Sequence, residues 1–117
     1  MKIIPKQPPG HFNVGTHDNV KISDMGEIFL APDQQVTFVT ESGLRHDFCR
    51  KIWGNYATPS INGRLKREGF KTALVESHNG QIYVMVIEPP FRDKFDAYCQ
   101  TEKQQVLSWL DEHTAKN

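Results

Sequence analysis

Alternating apolar and polar positions predict strands in the first half of the chain. Residues 26–30 form a short apolar run, and residues 35–40 alternate through a β-branched stretch, which is typical of strands. The connection 41–43 ends in glycine, and this suits a hairpin because its last position requires positive φ. Residues 44–53 are therefore predicted to be the return strand. A helix is the alternative for this last segment, because apolar residues also recur in it at every fourth position.

Residues 58–69 are predicted to form a short internal helix. Thr58 suits the N-cap and Pro59 the first helical position. Gly69 would end the helix in a left-handed conformation. Gly63 inside the helix costs about 1 kcal/mol relative to alanine, and close approach of another backbone or of a ligand would be a reason for it.

Two apolar runs, 71–77 and 82–88, predict a second hairpin. Asn79 and Gly80 between them are the strongest short signal for a type I′ turn. The run 82–88 is apolar on both faces, so we expect a central strand that is covered on both sides. Beyond residue 90, apolar residues recur at the helical period, which predicts one kinked helix or two short ones. The residues concerned are Phe91, Phe95, Tyr98, Val106, Trp109 and Leu110.

These elements predict one α+β domain over residues 1–117. We expect a mainly antiparallel sheet of about five to six strands, one short internal helix, and C-terminal helices packed on one face. Residues 1–18 contain three prolines and are expected to form an extended N-terminal arm. Residues 114–117 are expected to form a frayed tail.

Composition narrows the class of protein. The 14 basic and 14 acidic side chains balance, whereas nucleic-acid-binding domains are usually clearly basic. No apolar run approaches the roughly 18 residues of a membrane span, and the N-terminus lacks the apolar stretch of a signal peptide. We therefore expect a cytoplasmic protein with neither a membrane nor a nucleic-acid partner.

The cysteines and histidines predict no metal site and no cofactor. Cys49 and Cys99 are distant in sequence and show no zinc-binding spacing, so we expect two buried, inert thiols. No two histidines are spaced as paired metal ligands on one helix or strand.

A basic segment supplies the candidate ligand-binding site. Residues 44–71 carry seven basic and two acidic side chains. Within them, the segment 50–67 joins a predicted strand to a helix N-terminus, where free N–H groups favour anions. The arginines would pair with phosphate or carboxylate, the aromatic residues would stack on a sugar or base, and the remaining two would form hydrogen bonds. The candidate residues are Arg50, Trp53, Tyr56, Ser60, Asn62 and Arg64. The alternative is a solvated basic face with ordinary aromatic packing.

Two further hypotheses stay open from the residues alone. His46 could act as a general acid or base with Asp47 as its partner, in an enzyme that handles a nucleotide sugar. His46 and Cys49 cannot form a nucleophilic pair on a strand, because they point to opposite faces. An exposed edge strand and an apolar hairpin could instead pair across a two-fold axis, giving a structural homodimer.

The stretch Trp53-Gly-Asn-Tyr-Ala-Thr-Pro-Ser60 resembles part of a group of small uncharacterised bacterial proteins, as do residues 35–43, 69–75 and 109–111. Those proteins are encoded among genes of surface-polysaccharide (O-antigen type) biosynthesis. The resemblance covers most of residues 19–112 and implies a bacterial, glycan-related setting without implying catalytic residues. We therefore expect a non-catalytic accessory protein that binds an anionic sugar derivative, such as a nucleotide sugar, or a partner enzyme.

Overall fold

The computed structural model describes residues 1–57 and 60–114 and shows a chain dominated by antiparallel strands. The helices are α1 (Arg64–Glu68) and α2 (Arg92–Thr101), and short 3-10 turns cover Pro89–Phe91 and Leu110–Glu112. The strands are β1 (Lys2–Val14), β2 (Val20–Phe29), β3 (Gln35–Val39), β4 (Arg45–Lys51), β5 (Gly54–Tyr56), β6 (Lys71–Glu76), β7 (Ile82–Ile87) and β8 (Gln105–Trp109).

The described strands form three separate antiparallel sheets. We call β1–β2 the N-terminal hairpin, β3–β4–β5 the middle sheet and β7–β6–β8 the C-terminal sheet. The mainly antiparallel architecture with small helices is confirmed. The expectation of about five to six strands in one sheet is wrong, because the described strands number eight and divide into three groups.

The N-terminal residues are extended, as expected, but they pair with β2 to form a hairpin. The register runs from Lys2 opposite Phe29 to Val14 opposite Val20 and shifts between Pro5 and Gly10. Proline is compatible with this strand because an edge strand does not need every N–H for pairing. The sequence therefore indicated extended backbone at residues 1–18 but not its partner.

Turn chemistry placed two hairpins correctly. Gly43 has φ of +93°, and the N–H of Thr40 donates to the carbonyl of Leu44 at 2.9 Å. The strand prediction for residues 44–53 is thus confirmed over β4, and the helical alternative is wrong. The second hairpin is also confirmed, but its turn is not type I′. Only Gly80 of the pair 79–80 has positive φ, so the turn has three residues and a glycine bulge.

The internal helix is confirmed over α1 and ends as expected. Gly69 has φ of +114°, its N–H donates to Lys66 at 3.0 Å, and Phe70 N–H donates to Leu65 at 3.3 Å. The proposed helix start at Thr58 and Pro59 lies outside the described residues. A Cβ at Gly63 would lie 2.6 Å from Ser60 Oγ, so the group that approaches this glycine closely is a nearby side-chain hydroxyl and not another backbone.

The core lies between α2 and one face of the C-terminal sheet. Ala73, Val75 and Ile87 are its buried centre, and the partly buried residues packed on them are Met85, Phe95, Val106 and Trp109. The predicted second C-terminal helix is wrong, because β8 pairs with β6 instead. This pairing makes β6 the central strand and β7 an edge strand, so the expectation for residues 82–88 is also wrong.

The structure describes one of the four residues of the expected C-terminal tail. Thr114 is exposed, and residues 115–117 of the expected tail lie outside the described residues.

Cys49 and Cys99 are free and buried, as predicted. Burial raises the pKa of the Cys99 thiol, which keeps it protonated and unreactive near neutral pH.

Candidate functional site

A cavity of about 530 Å³ lies between the middle sheet and the C-terminal sheet. Its volume falls within the range of small-molecule sites. We call it the inter-sheet cavity. It is lined by His46, Tyr56, Ala57, Ser60, Ile61, Leu65, Thr72, Val84 and Val86. Aliphatic side chains thus form much of its wall, and a few hydroxyl and imidazole groups are placed among them.

The register of β6 and β7 determines which side chains form one wall. Thr72 lies opposite Val86, and Ala73 lies opposite Met85. Because successive side chains on a strand point to opposite faces, Thr72, Val84 and Val86 share the face that lines the cavity. Ala73 and Met85 point the other way, into the core. The C-terminal sheet therefore separates the core from the cavity.

Thr72 is the unusual member of this wall. It is 1% exposed, and its Oγ1 has no hydrogen-bond partner among residues 1–57 and 60–114. A buried hydroxyl without a partner costs about 1–3 kcal/mol, and such groups are rare in folded proteins. The hydroxyl therefore lies beneath the surface of the cavity wall and is unpaired within the described chain.

His46 from β4 and Tyr56 from β5 also line the cavity. The Nε2 of His46 donates to the carbonyl of Ala57, so the Nδ1 of a neutral His46 is an acceptor. Cys49, directly across the strand pair, raises the pKa of the Tyr56 hydroxyl above 10. That hydroxyl consequently stays protonated at neutral pH and can donate a hydrogen bond.

Asp47 does not partner His46 in the structure. Its side chain is buried on the other face of β4, where it accepts a hydrogen bond from Thr37 at 2.8 Å. Its second oxygen lies 3.2 Å from a guanidinium nitrogen of Arg64. The contacts of His46 and Asp47 are therefore separate, and they do not assemble an acid–base pair in which Asp47 orients the imidazole.

Tyr56 and Ser60, two of the six candidate residues, line the cavity, whereas Arg64 is not among its lining residues. The Oγ of Ser60 accepts the backbone N–H of Arg64 at 2.8 Å. This contact places the start of α1 beside the cavity, and the Arg64 side chain, 57% exposed, is engaged with Asp47.

The remaining three candidates make contacts elsewhere. Arg50 donates to the carbonyls of Lys51 and Gly54 at 2.8 and 2.9 Å and so braces the turn between β4 and β5. Trp53 lies in that turn and is 69% exposed. Asn62 donates to the carbonyl of His113 at 3.0 Å. The structure does not bring these three together with Tyr56 and Ser60.

Sequence reasoning missed the wall that β6 and β7 provide. Thr72, Val84 and Val86 look like ordinary strand residues, and no motif marks them. The alternation along Ile82–Ile87 could have identified one face, but the sequence does not tell whether that face meets a helix, a sheet or a cavity.

A second cavity, of about 470 Å³, lies at the tip of the N-terminal hairpin. Val14 and Thr16 line one side, and Tyr98, Glu102 and Gln104 line the other. Glu102 is 4% exposed and accepts the N–H of Thr16 at 2.6 Å. Its carboxylate is thus used to fasten the hairpin tip to the end of α2.

Other classes of site receive no support from the described chain. Across residues 1–57 and 60–114, no group of three or more histidine, cysteine, aspartate or glutamate side chains is placed to hold a metal ion. In the same residues, no helix is both long and apolar enough to cross a bilayer.

The chain was compared with protein-family models, with curated proteins and with solved structures, and it matches none of them.

Proposed function

We propose that the chain is a non-catalytic binding protein whose inter-sheet cavity takes the sugar ring of a small sugar derivative. The single observation that carries this proposal is the buried hydroxyl of Thr72, a residue of the cavity wall, which has no partner in the described chain. Once a small movement of the wall exposes this hydroxyl, a ligand hydroxyl would supply the missing hydrogen bond and offset the cost of burying Thr72.

The composition of the cavity favours a sugar ring over a compact anion. Ile61, Val84 and Val86 offer aliphatic surface for the C–H faces of the ring. The hydroxyls of Tyr56 and Ser60 and the Nδ1 of His46 offer hydrogen bonds at its edges. A mostly apolar pocket with a few placed polar groups is the usual form of a small-ligand site.

An anionic group on the ligand that extends out of the cavity past Ser60 would contact Arg64, whose backbone N–H donates to the Ser60 hydroxyl. The guanidinium has five N–H donors, and the pair with Asp47 leaves some of them for a second acceptor. The resemblance of residues 53–60 to proteins encoded among surface-polysaccharide genes suggests that the ligand is an intermediate of that biosynthesis. An accessory protein of this kind would hold the intermediate or present it to a partner enzyme.

Calorimetry and NMR titration test the proposal with glucose, N-acetylglucosamine, glucose 1-phosphate and a nucleotide sugar. We expect at least one of these to bind and to shift the backbone amide signals of Tyr56, Ser60 and Thr72. A sugar phosphate should bind more tightly than the same free sugar, because only the phosphate would reach Arg64.

Thr72→Val is the decisive variant, because it removes the hydroxyl and keeps the shape of the side chain. We expect it to weaken sugar binding about 5- to 20-fold, the effect of one lost hydrogen bond. Thr101→Val removes a hydroxyl at the exposed end of α2 and should leave affinity within about twofold. Unchanged affinity in Thr72→Val, or no binding by any probe, would contradict the proposal.

A further inference from the structure

Three carboxylates of the described chain are buried, and they differ in their partners. Asp47 is 7% exposed and forms an ion pair with Arg64. Asp111 is 1% exposed and forms an ion pair with Lys71. Glu102 is 4% exposed, but it forms no ion pair with any described residue. Because buried charges are normally paired, Glu102 lacks the cation that the other two carboxylates have.

The position of Glu102 in the fold adds to the cost of its charge. Glu102 is the C-cap of α2, and its backbone N–H donates to the carbonyl of Tyr98 at 2.9 Å. The C-terminal end of a helix carries partial negative charge, which disfavours a carboxylate there. One carboxylate oxygen, Oε1, accepts the backbone N–H of Thr16 at 2.6 Å. This neutral donor satisfies one oxygen but leaves the negative charge without a counter-charge.

The second carboxylate oxygen of Glu102, Oε2, is not fully enclosed. Within residues 1–57 and 60–114, the enclosed side-chain oxygens without a hydrogen-bond partner are those of Thr72 and Gln104. Oε2 also has no hydrogen-bond partner among the described residues, so it keeps some contact with solvent. Glu102 lines the cavity of about 470 Å³ at the tip of the N-terminal hairpin, which we call the hairpin-tip cavity. A cation in this cavity would therefore lie close to the carboxylate.

The rest of the hairpin-tip cavity suits a cation that is carried on a carbon chain. Glu102 is the acidic residue of its described lining, which contains no lysine or arginine. Tyr83 and Tyr98 line the cavity and are 43% and 40% exposed, and aromatic rings attract cations. Val14 and Met85 also line it and offer apolar contact to methylene groups.

An organic ammonium group fits these features better than a metal ion does. A metal ion usually needs several oxygen, nitrogen or sulfur ligands. The described residues place no three histidine, cysteine, aspartate or glutamate side chains together in this way. An ammonium group, in contrast, pairs with one carboxylate and also gains from aromatic neighbours. The volume of about 470 Å³ is that of a small-molecule site.

We propose that the hairpin-tip cavity binds a small aliphatic amine in its protonated form, with the ammonium group on Glu102 and the carbon chain against Tyr83 and Tyr98. The ammonium group would supply the counter-charge that Glu102 lacks within the described chain. This site is independent of the inter-sheet cavity, because the two cavities share no lining residue. They lie on opposite faces of the C-terminal sheet, since residues 83 and 85 alternate along β7 with residues 84 and 86.

NMR titration of the full chain at neutral pH tests the site with pentylamine, pentanol and pentanoate. These probes have carbon chains of similar length and differ in charge, so they separate the ion pair from apolar contact. Pentylamine should bind at least about tenfold more tightly than pentanol, the effect of a hydrogen bond to a charged group. Pentanoate should bind more weakly than either. Pentylamine should shift the backbone amide signals of Thr16, Tyr83 and Glu102.

Glu102→Gln removes the charge and keeps an oxygen that can accept the N–H of Thr16. We expect the affinity for pentylamine to fall at least about tenfold, and the affinity for pentanol to stay within about twofold. Glu112→Gln is the matched control, because Glu112 is 62% exposed and does not line the cavity. It should leave the affinity for pentylamine within about twofold.

Three outcomes would overturn the proposal. Pentylamine could bind no more tightly than pentanol, it could bind equally well to the wild type and to Glu102→Gln, or it could shift the signals of the inter-sheet cavity instead. The first and third outcomes are measured on the wild type, so they decide the matter even if Glu102→Gln does not fold. Sugar binding is followed at Tyr56, Ser60 and Thr72, so failure of one site is distinguished from failure of the other.

Discussion

Asp111 accepts a hydrogen bond from the backbone N–H of Thr72 at 2.9 Å, although Asp111 is only 1% exposed. Its second carboxylate oxygen lies 3.0 Å from the ammonium nitrogen of Lys71. These contacts tie the 3-10 turn Leu110–Glu112 to the start of β6. Because Thr72 lines the inter-sheet cavity, the 3-10 turn Leu110–Glu112 helps to hold one cavity wall in place.

Asp111→Ala is expected to lower the free energy of unfolding by about 2–3 kcal/mol, because it leaves a buried N–H of Thr72 without an acceptor and removes the partner of Lys71. Urea denaturation at neutral pH measures this. Glu112→Ala is the control, since its carboxylate lies 3.6 Å from the same ammonium but is 62% exposed. It should cost about 0.5 kcal/mol or less, and equal losses would contradict the role given to Asp111.

Acid should remove the contribution of Asp111. Burial acts to raise the pKa of Asp111, but the hydrogen bond from Thr72 and the pairing with Lys71 together bring this pKa below 3.8. The folded state therefore binds fewer protons than the unfolded state. The stabilisation is complete above about pH 4 and is lost as the pH falls through the folded pKa.

Urea unfolding of the wild type and of Asp111→Asn, at pH 6 and again below pH 4, measures this effect. The difference in unfolding free energy between the two proteins should shrink on acidification. A difference that stays constant over this range would show that Asp111 does not contribute through its charge.

Thr72→Val should raise the free energy of unfolding of the ligand-free protein by about 1 kcal/mol. The substitution removes a buried hydroxyl that has no partner in the described residues, and it keeps the N–H that Asp111 accepts. Thermal or urea unfolding measures the gain, with Thr101→Val as a surface control within about 0.5 kcal/mol. A loss of stability in Thr72→Val would mean that the hydroxyl is already paired.

Local chemistry made part of the fold predictable from the sequence. Gly43 and Gly69 each adopt the positive φ that their positions require, because glycine carries no Cβ to oppose it. The strand β8 was not predictable in this way. Its apolar spacing fits a helix as well as a strand, and its pairing with β6, some thirty residues earlier, decides between them. That long-range pairing cannot be inferred from the residues of β8 and their neighbours in the sequence.

The candidate site, like the fold, was predictable only in part from the sequence. Tyr56 and Ser60 were identified because aromatic and hydroxyl residues cluster before a helix, and both line the cavity. Arg50 and Arg64 were identified by their charge, but a sequence shows a guanidinium without showing its partner. The structure pairs Arg64 with a buried carboxylate and Arg50 with backbone carbonyls, so each guanidinium already has a partner within the chain.

Arg64→Ala is expected to lower the free energy of unfolding by about 1 kcal/mol, because Asp47 is buried and loses its cation. The arginine itself is 57% exposed, which limits the size of the effect. Arg67→Ala removes the same side chain from the same helix, where it makes no ion pair with any described residue, and should have an effect below about 0.5 kcal/mol. Urea unfolding of both variants distinguishes loss of the Arg64–Asp47 ion pair from loss of a positive charge in general. Equal changes in the free energy of unfolding would argue against a stabilising Arg64–Asp47 pair.

Gly69→Ala should destabilise the turn that leads from α1 into the C-terminal sheet. Gly69 has φ of +114°, and a Cβ there would lie 3.4 Å from the Cδ2 of Leu44. Alanine is strained in this conformation, so we expect a loss of about 1–2 kcal/mol and a fall in melting temperature of several degrees.

Gly10→Ala is the matched control for this glycine, because its φ lies outside the left-handed region and its added Cβ would make an ordinary contact, 3.7 Å from the Cβ of Asp24. Thermal unfolding of the two variants should therefore separate clearly. If both variants melt at the same temperature as the wild type, the left-handed cap at Gly69 contributes nothing to stability.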